Sequence, residues 1–279
     1  MISSLRSTIE QLYAFPAEKL DRTMAREAAR ELRHLLNSGK VRAAEFRDQR
    51  WIVNEWVKKG ILLAFRAGLL KKAGGTVHSQ FFDKDTMDLR RISAKQNLRI
   101  VPGGSAVRDG AYVAPGVVMM PPSYINIGAY IDAETLVDSH VLVGSCAQIG
   151  QRVHLSAGAQ IGGVLEPVGT LPVIVEDDVF VGGNTGIYEG AVLGRRAVIA
   201  SGVILTGSTP VYDVVRNAVY RKSDAQPLAI PEGAVVVAGN RHIDQPFAHT
   251  HKLSIYTPVI VKYRDEKTAA SVVLEDALR

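Results

Sequence analysis

The chain has 279 residues, 47% of them hydrophobic, and a net charge of +5. That is enough to bury a sizeable core in one or two domains. It contains no run of eighteen apolar residues to span a membrane and no basic stripe interleaved with aromatics to argue for nucleic acid. Arg6, Glu10, Glu18 and Lys19 break up the first twenty residues, so no signal peptide is expected. A single cysteine, Cys146, excludes an intramolecular disulfide framework and points to a reducing compartment, with the cytoplasm the expected location.

Residues 1–96 read as helical. Leu5, Ile9 and Leu12 mark one apolar stripe, and Met24, Ala28, Leu32 and Leu35 mark a second. A third helix is expected over Trp51–Phe65, with Glu55 and Lys59 at i,i+4 spacing. Both tryptophans, Trp51 and Trp56, read as core residues.

From residue 97 to about 240 the pattern changes. An aliphatic residue recurs every six positions, from Val107, Val113 and Met119 through Val137, Val143 and Ile149 to Ile161, and again from Val175 to Val211. Four residues after each anchor stands Ser, Thr, Ala or Val at all fifteen testable positions, among them Ala111, Thr135, Ala159 and Thr209. Six fits neither a helix nor a simple amphipathic strand, but it fits short strands separated by corners. Three strands close a triangular coil of about eighteen residues, with anchors stacked inside. The residue after the anchor is often glycine, as at Gly144, Gly150, Gly162, Gly182 and Gly194, which predicts positive φ or close backbone approach there. Gly162–Pro172 and residues 212–229 interrupt the register and are read as loops projecting from the coil, the first places to look for substrate contacts. The step from Ile161 to Val175 is read as two repeats lengthened from twelve residues to fourteen. Ile230, Ala234 and Val236 restore the spacing. Residues 241–279 form a tail, strand-like over Ser254–Tyr263 and helix-like over Glu266–Leu278.

Local segments are more specific than the repeat. INIGAYIDAETLVDSHVLVGSCAQIGQRVHLSAGAQIGGVLEP (125–167), WIVNEWVKKGILLAFR (51–66), FFDK (81–84), LRIVPGGSAVRDGAYV (98–113), IYEG (187–190), GAVVVAGN (233–240) and LSIYTPVIVKYRDEKT (253–268) together resemble the tetrahydrodipicolinate N-succinyltransferases. The resemblance runs in order along nearly the whole chain. It implies a left-handed parallel β-helix of hexapeptide repeats with an α-helical N-terminal domain (1–96), a coil domain (97–240) and a small strand/helix tail (241–279). It also implies transfer of succinyl from succinyl-coenzyme A to the amino group of the opened substrate, 2-amino-6-oxopimelate, in lysine and diaminopimelate synthesis. Succinyl-coenzyme A is then a co-substrate, with no permanently bound cofactor or metal, and the assembly is a homotrimer with sites between neighbouring coils.

Such a site needs a cation for substrate carboxylate, a group to take the amine proton and donors for the oxyanion. By resemblance Arg99 binds the carboxylate and Asp138 contacts the amine, while Gly182, Gly183 and Asn184 lie against the coenzyme. A second acid of the better-known branch falls where this chain has Gly186, and Glu189 is the nearby carboxylate that could replace it. Asp132 reads as a corner-capping aspartate. His154, next to anchor Leu155, is expected to point outward, either as a general base in an intersubunit cleft, as in several proteins of the fold it resembles, or, the preferred reading, as a structural or exposed histidine. Cys146, before the small Ala147, is expected to be a close-packed corner residue, not a nucleophile. Arg216, Arg221, Lys222 and Arg241 are candidates for the coenzyme phosphates, with no basis for choosing among them. The alternatives are an N-acetyltransferase acting on a related amino acid, a non-catalytic trimeric scaffold, and a zinc-dependent carbonic anhydrase, for which His140 and His154 are too few coil histidines.

Overall fold

A computed structural model describes residues 2–76, 80–224 and 226–265. Three helices open the chain: α1 (Ile2–Ala14), α2 (Arg22–Asn37) and α3 (Glu55–Ala67). Leu5, Ile9 and Leu12 are buried, as are Ala28, Leu32 and Leu35. Met24 is exposed instead, because α2 turns Ala25 and Ala29 inward. Asp21 caps α2 by accepting from Met24 N at 3.0 Å. At the crossing, Gly60 of α3 lies against Leu32 and Ile9, where a β-carbon would come within 2.9 Å of Ile9 Cδ1.

The expected helix from Trp51 begins four residues late. Ala44–Arg47 (β1) and Arg50–Val53 (β2) form an antiparallel hairpin, and α3 starts only at Glu55, whose carboxylate pairs with Lys59 at 3.4 Å. A second hairpin, Leu70–Gly75 (β3) with Gln80–Lys84 (β4), follows α3. Residues 1–96 are therefore less purely helical than the apolar stripes suggest.

The repeat region builds three parallel sheets, each taking every third strand. Face 1 runs from Arg99–Ile100 through Leu136–Val137, His154–Leu155 and Phe180–Val181 to Val198–Ile199. Face 2 runs from Ala106–Val107 through Leu142–Val143 and Gln160–Ile161 to Gly186–Ile187 and Ile204–Leu205. Face 3 runs from Tyr112–Val113 through Tyr130–Ile131, Gln148–Ile149 and Ile174–Val175 to Ala229–Ile230. Anchors pair with anchors, Val137 with Leu155 and Leu155 with Val181, and all are buried in one column. The small positions are buried too, except Thr209.

Of the two roles expected for the glycines after the anchors, the structure shows close backbone approach. Positive φ falls three residues after the anchor, not one, as at Glu134, His140, Cys146, Arg152, Asp178, Asn184 and Arg196. The glycines directly after anchors serve close approach instead. A β-carbon on Gly182 would sit 2.5 Å from Ser201 N, and one on Gly194 2.7 Å from Ile230 O.

Both interruptions leave the coil, with two corrections. Ile161 on face 2 is followed directly by Val175 on face 3, so the fourteen-residue step replaces a single six-residue one. Val173 takes the buried small position before re-entry. Val211 is no longer in the coil. Val211–Asp213 pairs antiparallel with Ala218–Tyr220 and parallel with the strand Ser254–Tyr263, capping the end of the column. Ile230 and Val236 rejoin the register against Leu193 and Ile199, as expected. Ser254–Tyr263 is a strand, antiparallel to Ala234–His242. The helix expected over Glu266–Leu278 lies outside the described residues.

The helical part is fastened to the coil by charge and by packing. Arg33 Nε and Asn37 Nδ2 donate to Asp109 at 2.9 and 2.5 Å, while Ile127 and Cys146 from two stacked corners enter the helical core.

Candidate active site

The corners joining face 1 to face 2 stack residues 138–141, 156–159, 182–185 and 200–203. Asp138 and Gly182–Asn184 are therefore in one row, two coils apart, or about 10 Å at ordinary strand spacing. Arg99 lies on face 1, two strands from Asp138 on the opposite side. Arg99, Asp138 and Gly182 thus follow one another along about 20 Å of one side of the coil.

Asp138 is half-buried, and its Oδ1 accepts from Ser139 N at 2.7 Å. Asn126 and Asp132 make the same contact with the following amide, each at 2.8 Å. Capping is thus common to the position directly after the anchor and does not set Asp138 apart. Its other oxygen, Oδ2, makes no hydrogen bond among the described residues. Arg99 is exposed, and its guanidinium is in no ion pair among the described residues, so a surface salt bridge does not account for it.

In the same row the amides of Asn184 and Gly182 are spent on Ala157 O and Ile199 O, at 2.9 and 2.7 Å. The Gly183 N–H donates to no described residue, and a β-carbon there would come within 3.1 Å of Ala157 O. Asn184 holds φ at 54°, a conformation that asparagine tolerates better than most residues.

Glu189 does not join this row. It stands on the corner between faces 2 and 3, where its Oε2 accepts from Gly207 N at 2.9 Å. There it lines a cavity of about 370 Å³ with Thr170 of the first excursion, Lys222 of the second and Trp51 of β2. Of the four candidates for the coenzyme phosphates, Lys222 lines this cavity, whereas Arg216 stacks 3.8 Å from the Tyr263 ring.

Gly186 has a steric explanation. The ring of Tyr188 lies over it, and a β-carbon there would also meet Ile204 Cδ1 at 2.9 Å. A β-carbon on Gly162, one coil away, would meet the same ring at 2.8 Å. The sequence did not point to Tyr188, although a bulky residue two positions beyond a glycine on one strand face was a usable signal.

His154 is buried, with its ring edge-on to Phe180 at 5.0 Å, so it is structural and not exposed. Cys146 is wholly buried, and burial pushes its thiol up to about 12. Sequence reading missed Lys58. It is fully buried on α3, its ammonium donates to Thr170 O, and desolvation pulls its pKa below the ordinary 10.5.

Known proteins share this chain's sequence along nearly its whole length. Residues 4–67 match the tetrahydrodipicolinate N-succinyltransferase N-terminal family, and residues 172–207 match the hexapeptide repeat of succinyl-transferase. The 2,3,4,5-tetrahydropyridine-2,6-dicarboxylate N-succinyltransferase of Nitrosococcus oceani is 44% identical over 98% of both chains. The chain belongs to the tetrahydrodipicolinate N-succinyltransferase family. The enzyme of the same name from Psychrobacter cryohalolentis is 42% identical over 99% of both chains, and that of Paraburkholderia phymatum is 44% identical over 91% of this chain and 89% of its own. Agreement of this length spans the helical part, the coil and both excursions, and not the repeat alone.

Proposed function

We propose that this chain transfers the succinyl group of succinyl-coenzyme A to the amino group of tetrahydrodipicolinate in its opened form, 2-amino-6-oxopimelate. The observation that carries this reading is the row of Arg99, Asp138 and the Gly183 amide along one open side of the coil. Arg99 holds a substrate carboxylate, for which a planar guanidinium provides a paired donor. Asp138 Oδ2 receives the ammonium, fixes its approach and takes its proton. The neutral amine attacks the thioester carbonyl and a C–N bond forms, the carbonyl oxygen becoming the oxyanion, while the Gly183 N–H, two coils along the row, is a donor for the coenzyme. Collapse breaks the C–S bond, the departing thiolate takes the proton held by Asp138, and the second proton of the new nitrogen passes to water, leaving the neutral amide. No covalent enzyme intermediate is required, and the reaction as written needs no resident metal or cofactor.

Glu189 as second acid belongs to a different corner from Asp138. Acting at one reaction centre, the two come from neighbouring copies, in keeping with a homotrimer whose sites lie between coils. The coil is taken to be left-handed, as hexapeptide-repeat coils are, and the chain to divide at residues 96 and 240.

The test is Asp138→Asn, which keeps the contact with Ser139 N but cannot take a proton. The expected result is a fall in kcat of about 10²–10⁴-fold, with KM for succinyl-coenzyme A little changed. Activity within a few-fold of the parent would overturn the role of Asp138.

A further inference from the structure

The β1–β2 hairpin covers face 3 and, beside the corners joining face 3 to face 1, leaves a cavity of about 490 Å³. This corner carries neither Asp138 nor Glu189. One wall is Arg42, whose guanidinium stacks 3.6 Å from the Tyr130 ring centroid and lies 5.8 Å from that of Trp51. Its Nε donates to Gln148 Oε1 at 2.9 Å. The two Nη groups donate to no described residue, and burial lowers the pKa of the guanidinium. A largely desolvated cation thus presents unused donors to the cavity.

The remaining charge is mostly negative. Asp132, Glu176, Asp177 and Glu232 face Arg42 and Arg195, an excess of two carboxylates. Glu176 is committed, accepting from Trp51 Nε1 at 2.9 Å and from Arg195 N at 3.1 Å. Asp132 and Asp177 each spend one oxygen on a backbone amide, and Glu232 makes no hydrogen bond among the described residues. A simple anion would meet this excess unfavourably. Among the described residues no group of three or more His, Cys, Asp or Glu could hold a metal ion. Asp132, Glu45 and Asp177 attract the Arg42 guanidinium through space, but an organic cation still leaves its two Nη groups without an acceptor, unless it also carries a carboxylate of its own.

We propose that this cavity binds a dibasic amino acid, with its carboxylate on Arg42, its two ammonium groups among Asp132, Asp177 and Glu232, and its aliphatic stem along Trp51. The cavity is roomy enough for a small molecule of this class.

The test is titration of the full chain with L-lysine, L-norleucine and 1,5-diaminopentane, read by calorimetry and by tryptophan fluorescence. Trp51 lines the cavity, whereas Trp56 is buried in the helical core. Lysine is expected to bind saturably. Norleucine, lacking the side-chain ammonium, and the diamine, lacking the carboxylate, are each expected to bind about tenfold more weakly or worse. Glu232→Gln removes an exposed carboxylate that holds nothing together, and is expected to weaken lysine about tenfold with the melting temperature unchanged. Failure of lysine to saturate in the millimolar range, equal binding of either control, or unchanged affinity in Glu232→Gln would each overturn the proposal.

Discussion

The ammonium of Lys58, on α3, donates to the main-chain carbonyl of Thr170, 112 residues away in the excursion that walls the Glu189 cavity. The helical part thus holds a loop of the coil by a buried charge. Lys58→Met leaves that carbonyl without its donor and is expected to cost about 1–3 kcal/mol in unfolding experiments. Proteolysis within residues 162–172 should rise with it. The pH sign is fixed by the lowered pKa. Between that value and 10.5 the unfolded chain binds more protons than the folded one, so this group makes stability rise with pH across the alkaline window. The slope should vanish in Lys58→Met, and a slope unchanged by the substitution would contradict the assignment.

Cys146 offers a test of burial. Its thiol is wholly enclosed and raised to about 12, so alkylation at pH 8 should be slow in the native protein and fast in denaturant. Cys146→Ala should retain turnover, since the attacking group is the substrate amine. Loss of turnover with an intact melting curve would reopen the case for a thiol nucleophile.

Gly186 and Tyr188 should be energetically coupled. Gly186→Glu alone forces the Tyr188 ring and Ile204 aside, an overpacking cost of about 1–3 kcal/mol. Combined with Tyr188→Val the same substitution should cost less than the sum of the separate changes, by about 1 kcal/mol in a double-mutant cycle. Strict additivity would mean that the ring does not bar a side chain at position 186.

Arg99 is exposed and held by no ion pair among the described residues, so Arg99→Met should leave the melting temperature in place. If it grips a substrate carboxylate, KM for the acceptor should rise about 10- to 100-fold while KM for succinyl-coenzyme A stays within a few-fold. Equal changes in both KM values would argue against a specific acceptor contact.

Most of the coil was legible because its physics is local. An inward anchor every six residues can be read without knowing its neighbours, and Val137, Leu155 and Val181 stack as the period requires. Val211 broke the rule because periodicity cannot tell a coil strand from a capping strand that meets the same core. The β1–β2 hairpin was hidden for a different reason. Its two-residue turn, Asp48-Gln49, holds both φ angles positive without the Asn-Gly or Asp-Gly pair that announces such turns. The row of Arg99 and Asp138 followed from register once the faces were known, while Glu189 went to another corner because its anchor, Ile187, lies on face 2 and Val137 on face 1. The contact from Lys58 to Thr170 and the cavity beneath Trp51 join distant segments, and no spacing in the chain encodes them.

The central claim is the donor and the acceptor together, and one assay reaches both. Purified protein is given 2-amino-6-oxopimelate or a stable aminopimelate analogue, with succinyl- and acetyl-coenzyme A in parallel, and thiol release is followed. The account predicts acceptor-dependent release with succinyl-coenzyme A, reduced to background in Asp138→Asn, and little with acetyl-coenzyme A. Release with acetyl-coenzyme A alone, or none with either donor, would contradict it.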